Sequence, residues 1–284
     1  MLTITKKAAL RKRLKAISAT GQTIGLVPTM GNLHAGHLKL IDSAKRNSDF
    51  VVCTVFINPL QFGPGEDLSV YPRTLDEDAR KLAAARCDCL FAPSVKELYG
   101  SNIQHQTTVH VPELTGMLCG KSRPGHFDGV ATVVNKLFNL VRPDTAFFGL
   151  KDYQQLLVIR KMNVDLGLGV EVFGIETQRE SSGLALSSRN NALSAEQRER
   201  ASLIYQCLVD TADQIKLGKK NFTDLEQSAT LCLQEAGIET DYFSVCEAGN
   251  LQAATERSTE LVILAAAQVG SSRLIDNIRL DLDD

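Results

Sequence analysis

Ile24-Gly25-Leu26-Val27-Pro28-Thr29-Met30-Gly31-Asn32-Leu33-His34-Ala35-Gly36-His37 decides the fold. Ile24 to Val27 is a short apolar run, the pattern of a buried strand. The apolar spacing then changes. Leu38, Ile41 and Ala44 fall on one face of a helix over residues 35–47. Outward from this strand–turn–helix unit the same alternation repeats. Phe50 to Ile57 is a continuous apolar and β-branched run, suited to a parallel strand covered on both faces. Thr74 offers an N-cap with Glu77 three residues on, and a helix follows to about Arg86. Cys89-Leu90-Phe91 is the next strand, residues 128–141 a helix stopped by Pro143, and Ala146-Phe147-Phe148 a strand. A helix over 152–166 and a strand from Val170 to Ile175 complete the series. The expected fold class is α/β, a Rossmann-like doubly wound parallel sheet.

The pattern changes after about residue 178. Ser194 with Gln197 three residues on caps a long helix to about Leu217, and Gly218 follows it. A second helix runs from Thr223 to Ala236. Strand-like pieces then cover 242–246, 261–267 and 274–278. The expected organisation is a catalytic domain over 1–177 and a smaller C-terminal α+β domain over 178–284.

The 284 residues are enough for a large core, and 44% hydrophobic with 23% charged residues is ordinary for a globular chain. A formal net charge of -2 argues against a nucleic-acid binder. No apolar stretch approaches the roughly 20 residues of a membrane span. The first residues carry Lys6, Lys7, Arg11 and Arg13 without an apolar signal segment. The seven cysteines form no CxxC pair and read as small buried hydrophobes in a reducing compartment. A cytoplasmic location is expected.

Three segments carry chemistry. In the opening stretch, Gly31 and Gly36 permit close backbone approach, and a helix N-terminus suits a phosphate. His34 and His37 add hydrogen bonds and, if protonated, charge. A zinc site would need further ligands, and no cluster supplies them. The second segment is Phe147-Phe148-Gly149-Leu150-Lys151-Asp152-Tyr153-Gln154-Gln155, another strand end with Lys151 placed to meet a phosphate. Asp152 at the helix start reads equally well as a simple cap. The third is Gly183-Leu184-Ala185-Leu186-Ser187-Ser188-Arg189-Asn190, at the domain junction. Its two hydroxyls and Arg189 make a phosphate clamp, although such a tetrapeptide alone fits an ordinary loop as well. His-x-Gly-His at a strand-to-helix turn resembles the HIGH signature of the adenylate-forming nucleotidyltransferase superfamily. The Ser-Ser-Arg-Asn loop resembles that superfamily's KMSKS-type loop.

Phe56-Ile57-Asn58-Pro59-Leu60-Gln61-Phe62 and Ser122-Arg123-Pro124-Gly125-His126-Phe127-Asp128-Gly129-Val130 complete an ordered set spanning residues 28 to 190. As a set these motifs resemble the pantothenate synthetase family. Three positions depart from its pattern: Leu150 where Glu is common, Ser182 where Asp is common, and Leu186 where some members have Met. The resemblance implies ATP-dependent condensation of pantoate with β-alanine through pantoyl adenylate, releasing AMP and pyrophosphate. It implies catalytic roles for His34, His37, Lys151, Ser187, Ser188 and Arg189. It places ATP at Pro28, Met30, Gly31, His34, Gly36, His37, Gly149, Leu150, Lys151, Asp152, Gln178, Leu186 and the Ser187–Arg189 loop. It places pantoate or β-alanine at Gln61, Gln155 and Arg123. Mg²⁺ would ride on the ATP phosphates with no protein metal ligand and no tightly bound organic cofactor. The expected partners are the three small substrates and a second copy in a homodimer, with no nucleic acid and no membrane. The second domain would act as a lid.

The residues suit this chemistry independently. A carboxylate is already ionised at neutral pH, so its attack on phosphorus needs positioning and charge stabilisation, not a general base. His37 could also protonate the leaving group. Gln155, at i+4 from Lys151, would share its helix face. Two rivals stay open at this point. A nucleotidyltransferase acting on a phosphorylated substrate would want cations at Gln61 and Gln155. A non-catalytic nucleotide sensor would not need Lys151 and Arg189.

Overall fold

The computed structural model describes residues 1–63, 66, 68, 69 and 71–282. Residues 1–150 and 158–176 form one compact unit, and residues 151–157 with 177–284 form another.

The first unit is built on six strands: β1 (Leu2–Ile4), β2 (Ile24–Thr29), β3 (Phe50–Val55), β4 (Cys89–Phe91), β5 (Thr145–Gly149) and β6 (Glu171–Ile175). They lie in the order β1-β4-β3-β2-β5-β6, and every pairing is parallel. The connections are α1 (Lys7–Ser18), α2 (Ala35–Asn47), α3 (Leu75–Ala84), α4 (Val95–Tyr99), α5 (Cys119–Ser122) and α6 (His126–Val141). α7 (Tyr153–Asp165) follows β5. The order turns back between β2 and β5, so loops leaving their carboxyl ends diverge and open a crevice, the usual ligand position in such sheets. Val27, Val51, Cys53, Leu90 and Phe147 from the strands pack with Leu40, Ile41 and Ala44 of α2 and Leu82 of α3 into a buried layer. Each such Val, Leu, Ile or Phe contributes about 1.5–3 kcal/mol.

The second unit sets α8 (Ala195–Lys216) and α9 (Phe222–Glu235) against an antiparallel sheet of β7 (Glu239–Glu247), β8 (Glu260–Val269) and β9 (Ser272–Asp281). Leu208, Leu233, Leu261 and Ile263 lie in its core. The capping box at Ser194 and Gln197 forms in both directions.

Several boundaries correct the sequence expectation. β3 ends at Val55, because Asn58-Pro59 begins a 3₁₀ turn over Pro59–Gln61. α6 starts at His126 after the left-handed Gly125. Thr74 does not cap α3 with its side chain; its hydroxyl donates instead to Asp78 at 3.0 Å. A 3₁₀ turn over Leu150–Asp152 precedes α7, so Lys151 stands outside the α-helix and the i+4 argument linking it to Gln155 fails. β1 and α1 escaped the sequence reading. All seven cysteines are free and six are buried, but Cys232 is exposed on α9. Among the described residues no helix is long and apolar enough to cross a membrane.

Candidate active site

The turn between β2 and α2 is held from three sides. Gly31 has φ 86° and Asn32 φ 51°, the left-handed region that glycine tolerates best. A Cβ on Gly31 would stand 2.9 Å from Asp78 Oδ2. Asp78, fully buried on α3, accepts the N–H groups of Asn32 (2.9 Å) and Leu33 (2.8 Å). Lys81, one turn on, donates to the Leu33 carbonyl at 2.6 Å. The turn also caps itself. His34 Nδ1 accepts Gly36 N–H at 3.2 Å, and His37 Nδ1 accepts His34 N–H at 3.3 Å. The two ring centroids are 4.1 Å apart.

Those bonds decide the histidine chemistry. A ring nitrogen that accepts a backbone N–H carries no proton, so each imidazole is the neutral Nε2–H tautomer. In this tautomer the Nε2–H of each ring is the group suited to bond a phosphate oxygen. Pro28 and Met30 precede this turn, and Gly36 lies in the first turn of α2.

Gln61 is buried at the end of the 3₁₀ turn after β3. Its Nε2 lies 3.2 Å from Met30 Sδ, so Met30 borders Gln61. Asn58 Nδ2 donates to Gln61 Oε1 (3.1 Å) and to the Gly129 carbonyl (3.0 Å). Gly129 explains why α6 can come so close: a Cβ there would lie 2.3 Å from the Leu60 carbonyl oxygen. His126 Nδ1 donates to the Gln61 carbonyl at 2.8 Å, and Arg123 donates to His126 Nε2 at 3.0 Å. Arg123 also grips Glu66 through two bonds of 2.7 Å, which hold the Glu66 carboxyl below its ordinary range. Gly149 ends β5, the neighbour of β2 in the sheet, and Leu150 opens the 3₁₀ turn that follows.

In the second unit, Lys151, Leu184, Ala185, Ser187, Asn190 and Asp276 line one small recess. Lys151 Nζ is 4.0 Å from Asp152 Oδ1. The segment over 178–186 folds back on itself: Leu186 N–H donates to the Gln178 carbonyl at 2.8 Å, and Arg179 bridges Ala185. Ser187 caps a 3₁₀ turn over Ser188–Ala192, its hydroxyl accepting Arg189 N–H at 3.3 Å. Arg179 anchors the segment. It donates to Asp276 Oδ1 at 2.9 Å and to the Gly183 carbonyl at 3.0 Å, with its guanidinium 3.7 Å from the Tyr205 ring centre. Asp276 accepts Asn277 N–H at 2.8 Å, and Asn277 Nδ2 donates to the Lys151 carbonyl at 2.9 Å. Gln155 is half-buried on α7. Among the described residues no three His, Cys, Asp or Glu side chains stand together as a metal site.

The structure thus gathers the Met30–His37 turn and Gln61 in one unit, and Lys151 and Ser187 in the other. Sequence reasoning assigned no role to Asn58, Asp78 or Lys81. Asn58 stood in the quoted Phe56–Phe62 motif, and an Asn before Pro at a strand end is a cap signal. Asp78 and Lys81 gave none, since their partners lie more than 40 residues away.

The sequence profile of the pantoate-β-alanine ligase family matches residues 2–279. A pantothenate synthetase of Pseudomonas fluorescens is 50% identical over 283 residues, covering 100% of this chain and 99% of that one. One from Azotobacter vinelandii is 48% identical over 282 residues, covering 99% of this chain and 100% of that one. The crystal structure of the Thermus thermophilus pantothenate synthetase superposes with a TM-score of 0.92 at 43% identity, covering 98% of this chain and 99% of that one. A Francisella tularensis pantoate-β-alanine ligase, solved with β-γ ATP and β-alanine, gives 0.82 at 34% identity, covering 98% and 97%. Matched by that profile and by these relatives along nearly its whole length, this chain belongs to the pantoate-β-alanine ligase family.

Proposed function

We propose that this chain condenses pantoate with β-alanine at the expense of ATP, and that its residues divide the work as follows. A pantoate carboxylate oxygen attacks the α-phosphorus, the bond to pyrophosphate breaks, and pantoyl adenylate forms. The β-alanine nitrogen then attacks the acyl carbon, AMP leaves with the bonding electrons, and the nitrogen loses a proton. The observation that carries this reading is the self-capped pair of neutral histidines, two Nε2–H donors at the N-terminus of α2. Such donors suit charge building on phosphate oxygens.

His34 and His37 serve the phosphates as hydrogen-bond donors. Lys151, Ser187, Ser188 and Arg189 stabilise charge on the departing pyrophosphate. Pro28, Met30, Gly31, Gly36, Gly149, Leu150, Asp152, Gln178 and Leu186 border the nucleotide. Gln61 and Gln155 read pantoate. Arg123 joins them only when a substrate carboxylate displaces Glu66 from its guanidinium. Mg²⁺ would be held by the ATP phosphates rather than by protein side chains and would help neutralise their charge. The division near residue 177, a homodimer and a cytoplasmic location belong to the same reading. Purified chain given ATP, Mg²⁺, pantoate and β-alanine should form pantothenate, AMP and pyrophosphate in equal amounts. ADP with phosphate in place of AMP, or no amide product, would refute the reading.

A further inference from the structure

The buried groups behind Gln61 carry an inference that rests on the reading of Gln61 as a residue facing the acid substrate. An amide side chain has two donor and two acceptor positions. At Asn58 all four are taken. Oδ1 accepts the Tyr99 hydroxyl (2.8 Å) and Leu60 N–H (3.3 Å), while Nδ2 donates to the Gly129 carbonyl (3.0 Å) and Gln61 Oε1 (3.1 Å). Leu60 N–H can only donate and the Gly129 carbonyl can only accept. Turning the Asn58 amide over would set N–H against N–H and oxygen against oxygen in a buried place, at the cost of unpaired polar groups.

Tyr99 closes the argument. It is buried on α4, with Phe56 5.9 Å away and Lys136 Nζ 5.2 Å from its ring centre. Burial raises its ionisation above the ordinary phenol range, so it remains a donor at any working pH. Its hydroxyl donates to Asn58 Oδ1, adding a third hold to those of Leu60 N–H and the Gly129 carbonyl, which set Nδ2 as the end facing Gln61. Gln61 answers with Oε1, and its Nε2 is the end turned toward Met30. We infer that Asn58, held by Leu60 N–H, the Gly129 carbonyl and the Tyr99 hydroxyl together, fixes Gln61 with its Nε2–H end, not its Oε1, on the Met30 side where the acid substrate is proposed to bind.

Tyr99 is on this account a positioning residue with a consequence for specificity. A glutamine free to turn over meets a donor or an acceptor equally well. A fixed one selects an oxygen lone pair, on a carboxylate or hydroxyl of the acid, and leaves a donor-only group unpaired.

The test is a double-mutant cycle on the full chain, reading KM for pantoate and for ATP in wild type, Tyr99→Phe, Gln61→Ala and the double variant. Gln61→Ala should raise the pantoate KM about tenfold, and Tyr99→Phe about three- to tenfold, the scale of one hydrogen bond. The ATP KM should stay within about twofold in each. The double variant should match Gln61→Ala alone, because Tyr99 acts only through Gln61. Asn58→Asp supplies a second reading: it puts an acceptor where Nδ2 stood, turns Gln61 over, and should raise the pantoate KM at least as much as Gln61→Ala. No effect of Gln61→Ala would remove the site reading and the inference with it. A pantoate effect in Gln61→Ala with multiplicative losses in the double variant, or with none in Tyr99→Phe, would overturn the inference and leave the site reading standing.

Discussion

The β2–α2 turn and the segment over 178–190 hold reactive groups by different means. The turn is held mainly through its backbone: Asp78 accepts two of its N–H groups, Lys81 donates to a carbonyl, and its two histidines together cap the N-terminus of α2. The second segment is held mainly by side chains, the Arg179–Asp276 and Arg198–Glu180 ion pairs. Arg179 and Asp276 tie it to β9, and Asn277 extends the chain of bonds to the Lys151 carbonyl. A backbone clamp fixes the turn whatever occupies the neighbouring side chains. A side-chain clamp can be removed by one substitution, and its cost is then the desolvated charge left behind.

Arg179→Leu is the sharper break. Asp276 is buried, and losing its cation should cost about 3–5 kcal/mol of stability. Urea unfolding should show this loss, and a change under about 1 kcal/mol would mean that the ion pair is not the anchor. Asp78→Asn probes the other clamp with a smaller loss, about 1–3 kcal/mol, because the amide keeps one acceptor but sets an NH₂ group against a backbone N–H. It should also slow adenylate formation, since the turn that carries His34 and His37 loses its register. Full stability with full activity would show that the turn needs no such support.

The same contrast explains what could be read without coordinates. The β2–α2 turn was legible because strand, turn and helix are contiguous and the two histidines sit at a fixed spacing. β3, β4 and β5 were legible as buried apolar runs, and β6 as an apolar run that is only half-buried. α1 was missed although Leu10, Leu14 and Ile17 recur at helical spacing and are buried, because Lys and Arg fill the positions between them. β1 has three residues at a sheet edge, too few for any pattern. The family set of motifs identified Gln61, but the reason for its orientation lies in Tyr99 and Gly129, 38 and 68 positions further along the chain by numbering. Asp78 reads in sequence as an ordinary acidic residue in the first turn of a helix. Only the parallel pairing of β2 with β3 and the packing of α3 against that side bring it beneath the turn.

The central claim is that adenylation of the acid is a separate step carried out by this chain. It is tested most directly by exchange of labelled pyrophosphate into ATP with Mg²⁺ and pantoate present and β-alanine withheld. The account predicts exchange that depends on pantoate and needs no amine. Exchange that ignores pantoate, or that begins only when β-alanine is added, would contradict it.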